Sequence, residues 1–144
     1  MTYQPNQTTT QVSLLKLSWT SNLAQDDYLT LNSSVAGISG QSVSGSTITL
    51  PAGHYLFEAG VGADRTDYAD RLEYRFEVDG SLVGTTGAMD CLSTSFTSFN
   101  VDQAGATHSA LASFNLKVKA VVCTANVWTA QSDYSYLLIT RVSE

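Results

Sequence analysis

The sequence predicts an all-β domain, an antiparallel sandwich or jelly roll. Three observations carry this. Short runs that alternate apolar and polar residues are bounded by Gly, Pro, Asn, Asp and Ser, which is the pattern of half-buried strands joined by turns. Charge is sparse, 14% of the 144 residues against about 25% in an average domain. Ser and Thr fill the polar positions instead, which suits strands and not solvent-bathed helices. The stretch Tyr134 to Val142 has apolar residues on both faces of an extended strand: Tyr134, Tyr136, Leu138 and Val142 on one, Leu137 and Ile139 on the other. A strand dry on both sides lies inside a sheet, and a last strand placed centrally requires a Greek-key or jelly-roll return rather than a meander.

In chain order, residues 1–10 read as an extended polar arm and 11–144 as a single domain, a size that buries roughly two-thirds of the unfolded surface. Gln11 to Thr20 reads as the first strand, with Leu15, Leu17 and Trp19 on one face. A short strand is expected at Tyr28–Leu31, then an irregular stretch through Gly37, Gly40 and Gly45. Thr47 to Leu50 and His54 to Val61 are strands around the turn Pro51-Ala52-Gly53. Residues 64–70 read as an acidic loop. In Arg71 to Val78, Leu72, Tyr74, Phe76 and Val78 alternate inward, with Glu73, Arg75 and Glu77 outward. Asp79-Gly80 is a two-residue hairpin turn, and Ser81 to Thr85 returns. Leu92 to Val101 is a strand with Phe96 and Phe99 on opposite faces, Gln103 to His108 a turn, and Ala110 to Val121 a long strand with apolar residues on both faces. Asn126 to Asp133 is a loop carrying Trp128, and the last strand follows. The total is about nine strands, with no helix.

Composition excludes several function classes. The net charge is −6, and the seven basic residues are scattered, so no basic stripe exists to neutralise phosphates and nucleic-acid binding is not expected. No apolar run approaches the length of a membrane span. The start, MTYQPNQTTTQ, does not read as a signal peptide. Cys91 and Cys123 are accordingly expected as reduced thiols, with a disulfide between neighbouring strands as the alternative.

The segment TLPAGHYLFEAGV, with Pro51, Gly53, Tyr55 and Phe57 in a P-x-G-x-Y-x-F pattern, then LEYRFEVDGSLVG and a final SYLLITRV, resembles the tumour-necrosis-factor-like jelly roll, including the globular head of complement proteins. The likeness covers roughly residues 47–142 and lacks a collagen-like stalk. It implies a homotrimer with the inner sheets around a threefold axis. Tyr134, Tyr136 and Leu138 would form that interface, while Leu137 and Ile139 belong to the core. Domains of this kind recur in bacteriophage virions as decoration, head-fibre and tail-fibre knob proteins, and the hydroxyl-rich, lysine-poor composition suits that setting. The resemblance thus implies a non-enzymatic virion protein, assembled in the host cytoplasm. It would bind itself as a trimer, and the major capsid protein or a fibre subunit through the arm. The alternative is a tail-fibre knob that recognises surface glycan through Trp128, with Tyr68 and Tyr28 as further stacking rings.

No catalytic motif, cofactor site or metal site is read from the chain. Asp64, Asp67 and Asp70, with Asp26 and Asp27, match no calcium-loop spacing and read as solvated acids. His54 and His108 have no nucleophile motif around them. Glu58 and Glu73 are the best glycosidase pair on offer, and nothing beyond their residue type supports it.

Overall fold

The computed structural model describes residues 10–19, 23–65, 71–90, 97–123, 128–130 and 135–143. These form thirteen strands and no helix: β1 (Gln11–Ser18), β2 (Thr30–Ala36), β3 (Ser42–Ser44), β4 (Thr47–Leu50), β5 (Gly53–Gly60), β6 (Ala63–Arg65), β7 (Arg71–Val78), β8 (Ser81–Asp90), β9 (Thr97–Asp102), β10 (Ala104–Ala110), β11 (Phe114–Cys123), β12 (Trp128–Ala130) and β13 (Tyr136–Ser143). They make two antiparallel sheets, a five-stranded one in the order β10-β5-β13-β1-β2 and an eight-stranded one in the order β12-β6-β9-β8-β7-β11-β4-β3.

β13 is the middle strand of the five-stranded sheet, between β5 and β1, as its two-sided apolar pattern predicts. Leu137 and Ile139 are fully buried, as are Leu15 and Leu17 of β1 and Ala59 of β5. Period-2 alternation sends these residues to the inner face, where they meet Leu72, Tyr74 and Phe76 of β7 and Leu116, Val118 and Ala120 of β11. Aromatic rings fill the gap between the sheets: Phe57 lies 5.6 Å from Phe76, and Tyr55 lies edge-on to Phe114 at 5.3 Å. The Tyr74 hydroxyl crosses the sandwich to the carbonyl of Ala59, at 3.4 Å.

The residues that carry the family resemblance meet in space. Tyr55 donates its hydroxyl proton to the carbonyl of Pro51 at 2.7 Å, and Arg141 of β13 donates to the carbonyl of Ala52 at 2.5 Å. A Cβ on Gly53 would stand 2.7 Å from Arg141 Nε and 2.8 Å from the Ser143 carbonyl oxygen, so only glycine lets the two segments approach. The Asp79-Gly80 turn joins β7 to β8 with φ of 46° and 88°. Two positive φ angles define the hairpin turn whose twist matches its strands.

Several expectations are corrected. Gln103 to His108 is not a turn, since most of it lies in β10, where Ala104, Ala106, His108 and Ala110 share the inner face with Ala59, Phe57, Tyr55 and Gly53. Small side chains at those positions hid the alternation. The strand expected at Tyr28–Leu31 runs from Thr30 to Ala36, and Tyr28 makes only an isolated bridge to Lys119. β11 begins at Phe114, after an exposed turn holding Leu111. It is buried on one face only, because Phe114, Leu116, Val118 and Ala120 are all even-numbered. Asp64 and Arg65 of the acidic loop belong to strand β6, and Trp128–Ala130 of the Trp128 loop is strand β12; the two pair. β8 continues to Asp90, and β9 starts at Thr97; Phe96 lies outside the described residues. Glu77 does not face water: it is 7% exposed, under Tyr28 and Lys119.

Candidate functional site

The candidate interface follows from the register of the five-stranded sheet. On β13, Tyr136, Leu138, Thr140 and Val142 point away from the core. Leu138 is flanked by Leu14 of β1 and Glu58 of β5, and Leu14 in turn by Val35 of β2. In the adjoining row, Thr140 lies between Val12 and Leu56. Val35 is 53% exposed, Leu56 45%, Val12 40% and Val142 38%. These rows, broken by Glu58 and Thr140, make up the apolar part of this sheet's outer face.

Tyr136 and Leu138 both lie on this face, but in different states. The Tyr136 ring is folded down onto Gly60, where a Cβ would stand 2.6 Å from it. Its hydroxyl oxygen accepts a hydrogen bond from Gln103 Nε2. Burial, with the Glu58 carboxylate alongside, raises the phenol above its ordinary value of 10.0. Tyr136 is thus partnered within its own chain. Leu138 is half-buried and offers only apolar surface. Tyr134 lies outside the described residues. Trp128 is on β12, whose backbone pairs with Arg65 of β6, on the other sheet from the apolar band.

Among the described residues, the remaining candidates do not assemble into a site. Glu58 is on the outer face of the five-stranded sheet. Glu73 is on the eight-stranded sheet, paired with Arg71 at 3.0 Å, so the core separates the two carboxylates and they cannot flank one glycosidic bond. Asp26 Oδ1 lies 3.6 Å from Lys119 Nζ, and Asp27 Oδ2 accepts from the backbone N–H of Ala24. Asp64 is on β6, and Asp67 and Asp70 fall outside the described residues. No group of three or more metal-ligating side chains occurs among the described residues. His54 Nδ1 is 2.6 Å from Ser109 Oγ, and the His108 ring packs on Phe114 at 4.7 Å. Cys123, half-buried, donates to the Leu23 carbonyl at 3.1 Å; Cys91 lies outside the described residues.

Two arrangements escape sequence reading. Tyr28 donates to the Glu77 carboxylate, 2.9 and 3.0 Å from its oxygens, while Lys117 Nζ sits 4.4 Å above its ring. The only signal was an aromatic in an otherwise polar run. Ser135, just before β13, is 1% exposed; its Oγ accepts from the N–H of Gly62 at 3.0 Å and donates to the Gly62 carbonyl at 2.9 Å. A lone serine gives no signal at all.

No protein-family model matches the chain, and no curated protein matches it. Solved structures do. Murine APRIL at pH 5.0 superposes with a TM-score of 0.64 at 12% identity, over 90% of this chain and 98% of that one. Murine APRIL at pH 8.5 gives 0.63 at 11% identity, over 92% and 99%. Eiger TNF from S. frugiperda gives 0.60 at 11% identity, over 94% of each chain. At such identities the likeness concerns architecture. The chain has the TNF-like jelly-roll fold.

Proposed function

We propose that the chain is a non-enzymatic assembly protein. It forms a homotrimer through the outer face of its five-stranded sheet, and the trimer decorates or cements a bacteriophage capsid or tips a head fibre, with residues 1–10 as the arm that engages the shell or fibre subunit. The observation that carries the assembly reading is the apolar band of Val35, Leu14, Leu138, Leu56 and Val12. Water is excluded from such a band by burying it against a complementary surface, and copies of the chain supply one. The virion setting is supported by composition: few charges, abundant Ser and Thr, and no basic stripe. The function is adhesive, so affinity resides in buried area and not in any reactive group.

Light scattering of the purified protein should give three times 15.4 kDa. A monomer at micromolar concentration overturns the assembly reading. Leu138→Asp should reduce the mass to that of one copy while leaving the circular dichroism spectrum unchanged, because a carboxylate buried between copies loses its hydration without a partner. Tyr136→Asp should also dissociate the trimer, but with some loss of fold stability, since Tyr136 packs on Gly60 and bonds Gln103. Electron microscopy of intact particles tests the setting: three-copy knobs on the shell are expected, and purified particles lacking the chain would exclude it.

A further inference from the structure

The connection between β1 and β2 reaches across to the eight-stranded sheet. β7 occupies one edge of β11, and β4 covers the other edge at Phe114–Leu116. Beyond β4, the segment Leu23–Leu29 takes over that edge. Asp26 N–H donates to the Ala120 carbonyl at 2.7 Å, Ala120 N–H to the Asp27 carbonyl at 2.8 Å, and Leu29 N–H to the Val118 carbonyl at 2.9 Å. Leu23 and Leu29 are buried, while Ala24, Gln25, Asp26 and Asp27 between them are exposed. Asp26 is held at φ 73°, in the left-handed region that few residues with a Cβ adopt.

On the outer face, Tyr28 ties the segment down. Its hydroxyl donates to the Glu77 carboxylate, and Glu77 is 7% exposed. Lys119 Nζ, 3.8 Å from Glu77 and 3.6 Å from Asp26, joins the two carboxylates. A carboxylate that is mostly out of water binds its donors strongly. The segment itself buries only two leucines and carries strain at Asp26, so its own stability is below that of the sandwich beneath it. We propose that Leu23–Leu29 is a strap that opens as one unit while both sheets stay folded, with the Tyr28–Glu77 bond as its latch, and that opening bares the Val118–Ala120 edge of β11. The closed strap thus guards an edge that is otherwise open to strand pairing. The strap and the apolar band lie on different sheets, so this inference stands apart from the assembly reading.

Native-state hydrogen exchange tests it. In the unmodified protein, the amides of Asp26, Leu29 and Ala120 should share one opening equilibrium with one denaturant dependence. That opening should be at least roughly tenfold more populated than the one exposing the amides of β13. Tyr28→Phe removes the latch, so the three strap amides should exchange at least roughly tenfold faster. Global unfolding also breaks the latch, so β13 should speed up by a similar factor. Ser135→Ala weakens the sandwich at Gly62, away from the strap. It should speed exchange in β13 and leave the strap amides unchanged. Glu77→Gln keeps the shape and removes the charge; it should act as Tyr28→Phe does, by a smaller factor, and it carries the test if Tyr28→Phe fails to fold. The proposal is overturned if the strap amides exchange no faster than those of β13, if the three follow different denaturant dependences, if Ser135→Ala speeds the strap as much as β13, or if neither latch variant moves the strap amides.

Discussion

At the scale of single residues, the fold depends on polar groups placed where water cannot reach. Ser135 is the clearest case, because its one hydroxyl satisfies both the N–H and the carbonyl of Gly62. Ser135→Ala leaves two buried backbone groups without partners, and the cost should be about 1–3 kcal/mol, measurable as a lower urea midpoint. The tyrosines set the response to alkali. Burial raises the phenols of Tyr55, Tyr74 and Tyr136 above 10.0, Tyr74 the most. A raised phenol favours the neutral form in the folded chain, so its contribution is complete below pH 10.0 and is lost as pH rises through the folded value. The melting temperature should therefore fall steeply above about pH 10, and Tyr74→Phe should make that fall shallower. A melting temperature that stays flat above that pH would contradict the assignment.

At the scale of elements, the two sheets are closed along one side by a bulge. β8 departs from regular pairing between the partners of Tyr74 and Phe76. There Gly84, at φ 75°, lets β8 approach β10, so that Thr85 Oγ1 both donates to the carbonyl and accepts from the N–H of Gly105. A Cβ on Gly84 would stand 2.3 Å from the Gly105 oxygen. Gly84→Ala should cost about 2–4 kcal/mol from the left-handed backbone and the clash together, and hydrogen exchange should be faster in β10 before other strands respond. Elements with large alternating side chains, β5, β7 and β13, were legible in the sequence, as were Asp79-Gly80 and the division of Leu137 from Leu138. β10 and β2 were not. AGATHSA and TLNSSVA have too little apolar volume to show a period, and their strand state comes from neighbours brought from far along the chain. The band was legible only on β13. That Leu14 adjoins Leu138, with Val35 beyond it and Leu56 diagonally across, depends on strand order, which no local pattern encodes.

At the scale of the whole molecule, the outer faces of the two sheets differ in character. The five-stranded sheet presents Val12, Val35, Leu56 and Leu138. The eight-stranded sheet presents Thr49, Asn115, Lys117 and Arg75, bonded laterally through pairs such as Thr49 to Asn115 at 2.8 Å. The exposed large apolar side chains thus gather on the five-stranded face, with Leu82 of β8 on the other. The central position of β13 has a consequence for the birth of the protein. Gln11 pairs with Arg141, 130 residues later, and β1 does not touch β5 until β13 lies between them. During translation, a nascent chain that has delivered β1 to β12 still lacks the strand that joins its two half-sheets, so their inner leucines stay uncovered until β13 is made. Deleting residues 136–143 should leave a chain with no cooperative unfolding transition, which calorimetry would show.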